Sequence, residues 1–377
     1  LGDGTVVGFS DPSPVPGLRS VTAIASGSRH TIALRQDGNV WGWGSNGSGQ
    51  LGIGANHSLV PAPVQITGLT GIISVAAGDA HTLVLRQDGT IWALGSNAYG
   101  QLGDGTFNDR ALPALVQGPS KVVAISARFN HSLAVTQDGS VWAWGWNGYG
   151  QLGDGTNADR STPAAVPGIG NVTSVAAGRF HSLALKADGT VWSWGWNAYG
   201  QLGDGTNNTR VSPVPVTGLA GVVSAIRADE YSVALRQDGG IWAWGQNWNG
   251  QLGDGTFNNR STPAVITGLG GATSIGAGRS HILAIKDGGV WALGNNGVGQ
   301  LGNGAATSRN VPVRASSLNG VTAVSAGGWH TVVVTQDGSL WTWGANWGVA
   351  PDAGTMARRS TPSLVKGLSG VSAVSAG

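Results

Sequence analysis

Three features predict an all-β fold, a seven-bladed β-propeller of four-stranded antiparallel blades. A histidine returns about every fifty residues, an Asp-Gly turn follows the histidine segments, and a glycine-rich loop is copied almost letter for letter. The aligned positions are His30, His81, His131, His181, His281 and His330, with Tyr231 in the fifth place; successive spacings are 51, 50, 50, 50, 50 and 49. A unit of that length is the size of one propeller blade. The loop reads NGSGQLGIGA from Asn46, NAYGQLGDGT from Asn97 and Asn197, NGYGQLGDGT from Asn147, NWNGQLGDGT from Asn247 and NGVGQLGNGA from Asn296.

The unit that starts at Val172 justifies the elements in order. VTSVAAG (172–178) is apolar and ends in small residues, which suits a crowded inner strand A. HSLALKADG (181–189) alternates Leu183 and Leu185 with small or polar residues and closes on Asp-Gly, a strong hairpin signal, so it reads as strand B. VWSWGWN (191–197) is strand C, with Trp192 and Trp194 on one face by the period of two. SPVPVTG (212–218) carries prolines that only an edge strand tolerates, and it reads as the outer strand D. No stretch shows helical periodicity. The whole chain, 1–377, is then one propeller domain with complete blades at about 21–368. Residues 1–20 resemble a loop and strand D, and 371–377 resemble another strand A; one of these surplus half-repeats is expected to close the ring against the other terminus. The chain opens inside a motif, and both ends leave room for a longer natural protein.

Composition narrows the class. Sixty-five glycines and 11% charge would suit low complexity, but 41% hydrophobic content and 17 tryptophans require a packed core. The net charge is +2 (21 Lys+Arg less 19 Asp+Glu), and no basic run exists to follow a nucleic acid. Without cysteine there are no disulfides or thiolate metal sites. No continuous apolar run reaches about 18 residues, so no helical membrane span is expected. A cysteine-free, lysine-poor chain suits a bacterial secreted or cell-surface protein, and a monomer is favoured.

The motifs A-G-x-x-H-[ST]-x-x-[LV], D-G-x-[VIL]-W-x-[WL]-G-x-N and G-Q-L-G-D-G-T run through essentially the whole chain. On them the sequence resembles the regulator of chromosome condensation (RCC1-like) repeat family. The resemblance implies a seven-bladed β-propeller. Similar repeats occur in an exchange factor for a small nuclear GTPase, a plant ultraviolet-B photoreceptor and a secreted bacterial β-lactamase inhibitor, so fold alone does not choose the function.

Residues of chemical interest read mostly as scaffold. One histidine per blade places His30, His81, His131, His181, His281 and His330 on a circle, too dispersed to converge on an ion; each is expected to tie neighbouring segments, with the Tyr231 hydroxyl replacing imidazole. His57 stands outside the pattern. Asp104, Asp154, Asp204 and Asp254 suggest calcium, but each is followed six residues on by an arginine (Arg110, Arg160, Arg210, Arg260), so an ion pair or turn cap within the loop is preferred. The first tryptophan of each strand C pair (Trp142, Trp192, Trp242) is expected in the core between blades. No nucleophile elbow, phosphate loop or zinc signature is present, and no enzyme activity, metal or cofactor is predicted.

Positions that agree across the seven copies are scaffold, and those that drift are free for function. The freest are the two residues before each histidine and the residues just after strand C. Strand order places the A–B and C–D loops at one face, opposite the Asp-Gly turns. That face is expected to carry Arg29, Asp79, Arg128, Phe129, Arg179, Phe180, Asp229, Glu230, Arg279 and Trp329, beside Trp146, Tyr149, Trp196, Tyr199, Trp248 and Trp347. Arginine with aromatics is the composition of protein-binding hot spots. The sequence therefore reads as a non-catalytic binding module for a protein partner. A carbohydrate-binding lectin and a guanine-nucleotide exchange factor are the alternatives, the latter disfavoured because the uniform units carry no long insertion. Photoreception is disfavoured because Ser28, Asp79, Phe129, Arg179, Asp229, Arg279 and Gly328 leave no tryptophan at the first of the two positions before the histidine.

Overall fold

A computed structural model describes residues 15, 17–54, 58–227, 229–316, 318–346, 357–365, 370–371 and 373–376. Among them, 28 strands form seven four-stranded antiparallel sheets, each with its strands in chain order, and no helix. The architecture is an all-β propeller. Its blades span 21–65, 72–115, 122–165, 172–215, 222–265, 274–314 and 321–364. Contacts group the chain into two compact units: Val15–Ala198 with Asn208–Val216, holding blades 1 to 4, and Tyr199–Asn207 with Thr217–Gly377, holding blades 5 to 7.

Within each unit the core is a series of apolar layers, each shared by consecutive blades. One layer joins Leu133, Val135 and Val141 of blade 3 to Ala177, Ala184 and Trp194 of blade 4. Another joins Val233, Ile241 and Leu252 to Ile275, Ile282 and Leu293. Small residues at the end of strand A are what let neighbouring blades approach, as read from 172–178: Ala177 is fully buried and its N–H donates to Ser126 Oγ of blade 3 at 3.0 Å.

The tryptophan pairs correct one sequence expectation. Trp144, Trp194 and Trp244, the second of each pair, are fully buried, while Trp142, Trp192 and Trp242 are half-buried at the margin. The cause is position along strand C. Strand C pairs regularly with strand B through both tryptophans, so the two rings lie on one face as the period of two requires, and Trp142 packs against the layer that buries Trp144. The first tryptophan lies two residues nearer the Asp-Gly turn, where a cation covers its ring: Lys186 over Trp192 at 5.6 Å and Arg236 over Trp242 at 5.9 Å.

The buried indoles, the histidines and one backbone carbonyl form a repeated tie. Gln101 O accepts from Ser132 Oγ (2.9 Å) and from Trp144 Nε1 (2.9 Å); Gln151 O accepts from Ser182 Oγ and Trp194 Nε1, both at 2.8 Å. Gln201 O accepts from Ser232 and Trp244, and Gln300 O from Thr331 and Trp343. The histidine of the preceding blade completes the set. His81 Nε2 lies 3.1 Å from Ser132 Oγ, His30 Nε2 3.2 Å from Thr82 Oγ1 and His281 Nε2 3.2 Å from Thr331 Oγ1. Since each hydroxyl hydrogen is spent on a carbonyl, the imidazole must donate through Nε2. Tyr231 reaches the next blade differently, its hydroxyl 3.0 Å from Gly278 O and 2.8 Å from His281 O.

Burial holds these rings neutral. It lowers His30 to about 4 and His81 and His281 to about 3, with a smaller push on the last two from His30 and His330 respectively. The Nδ1 atoms of His30, His81 and His281 are buried without a hydrogen-bond partner, so a second proton would have nowhere to donate.

The C-terminal stretch follows the strand A pattern. Val371 N–H donates to Gly338 O at 3.0 Å, as Val172 does to Gly139 O, and Ala376 N–H donates to Ser325 Oγ at 3.0 Å. It thus flanks blade 7 as a following strand A would. Of the segment 1–20, read as a loop and strand D, residues 1–14 and 16 lie outside the described residues, as does His57.

Two outcomes are expected. Trp244→Phe keeps most of the apolar volume but removes the indole donor to Gln201 O, and should cost about 1–3 kcal/mol in denaturant unfolding. Acid should weaken the fold through the histidines. Above about pH 6.5 they are neutral whether folded or unfolded; below it the unfolded chain binds protons the native rings refuse. Each lowered histidine then removes about 1.4 kcal/mol per pH unit, until its native value near 3 or 4 is reached. His81→Tyr, copying Tyr231, should lower the proton uptake on unfolding at pH 5 by about one; an unchanged pH slope would contradict the burial argument.

Candidate functional site

The residues that drift between copies are brought together by backbone bonds that do not depend on their side chains. In each blade an N–H at the end of strand C donates to the carbonyl just before the histidine position: Ser45 to Arg29, Ser96 to Ala80, Trp146 to Asn130, Trp196 to Phe180, Gln246 to Glu230, Asn295 to Ser280 and Ala345 to Trp329. Glycine makes this approach possible. Gly195 has φ 104°, and a Cβ there would stand 2.6 Å from Phe180 O and 2.8 Å from His181 Cα.

The C–D loop is pinned just as firmly. Asn147 is fully buried; its Oδ1 accepts from Leu152 N–H (3.0 Å) and its Nδ2 donates to Thr156 O and Ala158 O, each at 3.0 Å. Gln151 Oε1 accepts from Tyr149 N–H at 2.9 Å, which holds Tyr149 at the loop's crest. The loop aspartates are turn caps and ion-pair partners. Asp104 accepts from the Thr106 N–H and hydroxyl and pairs with Arg110 at 2.6 Å; Asp154 pairs with Arg160, and Asp254 with Arg260 at 3.5 Å. Burial pushes the Asp104 carboxyl up, but the Thr106 hydroxyl, Arg110 and the Thr106 N–H together outweigh it and hold it below the usual carboxylate range. No group of three His, Asp or Glu side chains suited to a metal occurs among the described residues.

On blades 2 to 4 this scaffold assembles six aromatic rings: Tyr99, Phe129, Trp146, Tyr149, Phe180 and Trp196. Phe180 is the hub, with centroids 5.3 Å from Phe129, 5.7 Å from Trp146, 5.6 Å from Tyr149 and 5.4 Å from Trp196, all edge-on. Tyr149 stacks on Trp196 at 5.7 Å with 30° between planes, and Tyr99 meets Trp146 at 6.2 Å. The Arg179 guanidinium covers Phe180 at 4.8 Å and Phe129 at 5.4 Å. Tyr99 and Tyr149 remain 39% and 38% exposed, so the outer rim of the nest faces solvent.

Phe129 has φ 50°, the left-handed region that a bulky side chain rarely occupies. Its unit has Arg128 where blades 1, 2, 4, 6 and 7 have glycine, and strand A there runs on through Arg128. The left-handed residue follows directly, and the Phe129 ring meets that of Trp146 at 5.6 Å.

The second compact unit holds a second set. Tyr199 and Trp248 meet edge-on at 4.9 Å, with Trp248 59% exposed. Asp229 pairs with Arg279 at 3.7 Å, and Arg279 covers Trp329 at 5.6 Å. Glu230 accepts from Gln246, and burial followed by the Glu230 charge pushes the Tyr199 hydroxyl up. Arg29 is exposed on the A–B turn of blade 1, Asp79 is half-buried on that of blade 2, and Trp347 lies outside the described residues. Sequence reasoning passed over Tyr99, although it stands at the loop position of Tyr149, and it could not see the left-handed turn at Phe129.

The fold and this loop-borne surface define a repeat propeller with a variable face. The match to an RCC1-like domain covers residues 2–171, and regulator of chromosome condensation (RCC1) repeats match 172–201, 188–235, 238–285 and 287–334. The chain belongs to the RCC1-like repeat family. It is 38% identical over 119 residues to the ultraviolet-B receptor UVR8 of Arabidopsis thaliana, 31% of this chain and 27% of the receptor. In this receptor and five other curated relatives, the aligned part is between 9% and 27% of their length. Human WBSCR16 superposes with TM-score 0.73 at 25% identity over 89% of this chain and 96% of that one. Prp20p of Saccharomyces cerevisiae, described by its binding to Gsp1p and histones, does so with TM-score 0.68 at 27% identity over 86% and 85%.

Phe180→Ala should scatter the nest without unfolding the blade. The near-ultraviolet circular dichroism of the coupled rings should fall sharply while the far-ultraviolet signal persists, at a stability cost of about 1–3 kcal/mol.

Proposed function

We propose that the chain is a non-catalytic binding module that docks a protein partner on the aromatic nest of blades 2 to 4. The observation that carries this is the six-ring cluster itself: fixed from beneath by backbone bonds, partly open to solvent, and built from positions the fold leaves free. Large rings with few rotatable bonds give contact area at low entropic cost, and arginine beside them is typical of interface hot spots. The binding for which Prp20p is described supports protein recognition as a use of this family's fold. Arg29, Asp79, Asp229, Glu230, Arg279, Trp329, Trp248 and Trp347 are carried as further partner contacts on the strength of their variable positions in the repeat alone. Guanine-nucleotide exchange is the weaker reading, since units of 49 to 51 residues hold no inserted wedge.

The test is affinity capture with the wild type beside a folded Phe180→Ala, Trp196→Ala double variant, with a glycan array run in parallel. Specific protein capture that drops at least about tenfold in the variant is expected, two hot-spot rings having been removed. Equal capture by both proteins would overturn the reading, and array signal lost in the variant would replace it with sugar binding.

A further inference from the structure

We infer that Arg179 anchors a carboxylate of the docked partner: an acidic residue whose apolar neighbour rests on Tyr149 and Trp196. This deepens the docking reading and rests on it. The argument comes from two copies of one position. Arg179 in blade 4 and Arg279 in blade 6 align, and fifty residues before them stand Phe129 and Asp229. In blade 6 the cation is answered within the chain, with Arg279 Nε 3.7 Å from Asp229 Oδ2 and its guanidinium over Trp329 at 5.6 Å. In blade 4 the carboxylate is replaced by a ring. Arg179 lies over Phe129 and Phe180 at 5.4 and 4.8 Å, and among the described residues it has no carboxylate within ion-pair distance.

Stacking satisfies only part of such a group. Ring faces attract the cation, yet the in-plane N–H donors of a guanidinium are left for another acceptor, and a carboxylate fits two of them as a fork. The surrounding rings thin the water at this point, so an ion pair made here is screened less than one on an open surface. Phe129 and Phe180 also hold the guanidinium in one orientation, which lowers the entropic cost of meeting a ligand. A carboxylate arriving at Arg179 would bring its flanking residues to Tyr149 and Trp196, both of which touch the Phe180 ring that Arg179 covers.

The experiment is to pan a random-peptide phage library on the intact chain. Selected peptides are then measured by calorimetry against wild type, Arg179→Gln, Arg179→Lys, Phe129→Asp and Trp196→Ala, with thermal melts confirming that each variant folds. Selected peptides should carry Asp or Glu beside an aromatic or branched apolar residue, and bind more weakly as salt rises. Arg179→Gln should weaken them about tenfold or more, and Arg179→Lys less. Phe129→Asp copies the Asp229–Arg279 arrangement and should weaken them as much as Arg179→Gln. Peptides that lose binding in Trp196→Ala but keep it in Arg179→Gln would overturn the carboxylate inference and leave the docking face standing. If no selected peptide depended on Trp196, both would fall.

Discussion

A backbone carbonyl repeated in four of the blades carries the architecture. The oxygen of Gln101, Gln151, Gln201 or Gln300 takes a hydroxyl and an indole donor from the strands of the blade that follows, and so uses both of its lone pairs. These donors are buried, and each would cost a desolvation penalty if left unmade. The tie is therefore specific where apolar layering alone would be permissive: blades could slide against one another across Leu and Val, but not across a two-donor node. Where strand C carries Leu94 in place of tryptophan, the hydroxyl of Thr82 alone reaches Gln50 O, at 2.9 Å. The apolar side chain of Leu94 then packs with Ile66 and Leu51 in its layer.

The same glutamine links scaffold to surface. Its carbonyl faces the next blade while its side-chain Oε1 holds the crest of its own loop, at Tyr99, Tyr149 and Tyr199. Order imposed by the blade interface is thus passed within a few bonds to the rings on display. A nest built on such loops loses little freedom when a ligand arrives. The inverted turn at Phe129 adds to this, since a residue held at φ 50° persists only where its surroundings fix it.

Much of the fold was legible because the sequence states it seven times. Strand order, the Asp-Gly hairpins, the outer proline strand and the loop ion pairs follow from local chemistry repeated in register. Depth was not legible. Trp142 and Trp144 share a face by the period of two, and that period does not say that the one nearer the Asp-Gly turn stays at the margin while the other is fully buried. The candidate face was legible as a set of positions but not as contacts. Comparison of the copies says which letters are free; it cannot say that Phe180 touches four other rings while Trp248 stands largely exposed, because those distances depend on which neighbours the adjoining blades happen to carry.

Separating backbone geometry from side-chain identity has a consequence for how such a surface acquires specificity. The bond from the residue at the end of strand C to the carbonyl before the histidine forms with Ser, Trp, Gln, Asn or Ala in the first place and Arg, Ala, Asn, Phe, Glu, Ser or Trp in the second. Substitution there changes what the face presents while the hydrogen bonds, the layers and the carbonyl nodes stay as they are. Most surface changes away from buried networks shift stability by less than about 0.5 kcal/mol, whereas hot-spot changes shift binding by about 2 kcal/mol or more. Recognition can therefore vary widely at nearly constant stability, and the exchange of one carboxylate for one ring between Asp229 and Phe129 shows how small a step turns a self-contained ion pair into an open cation.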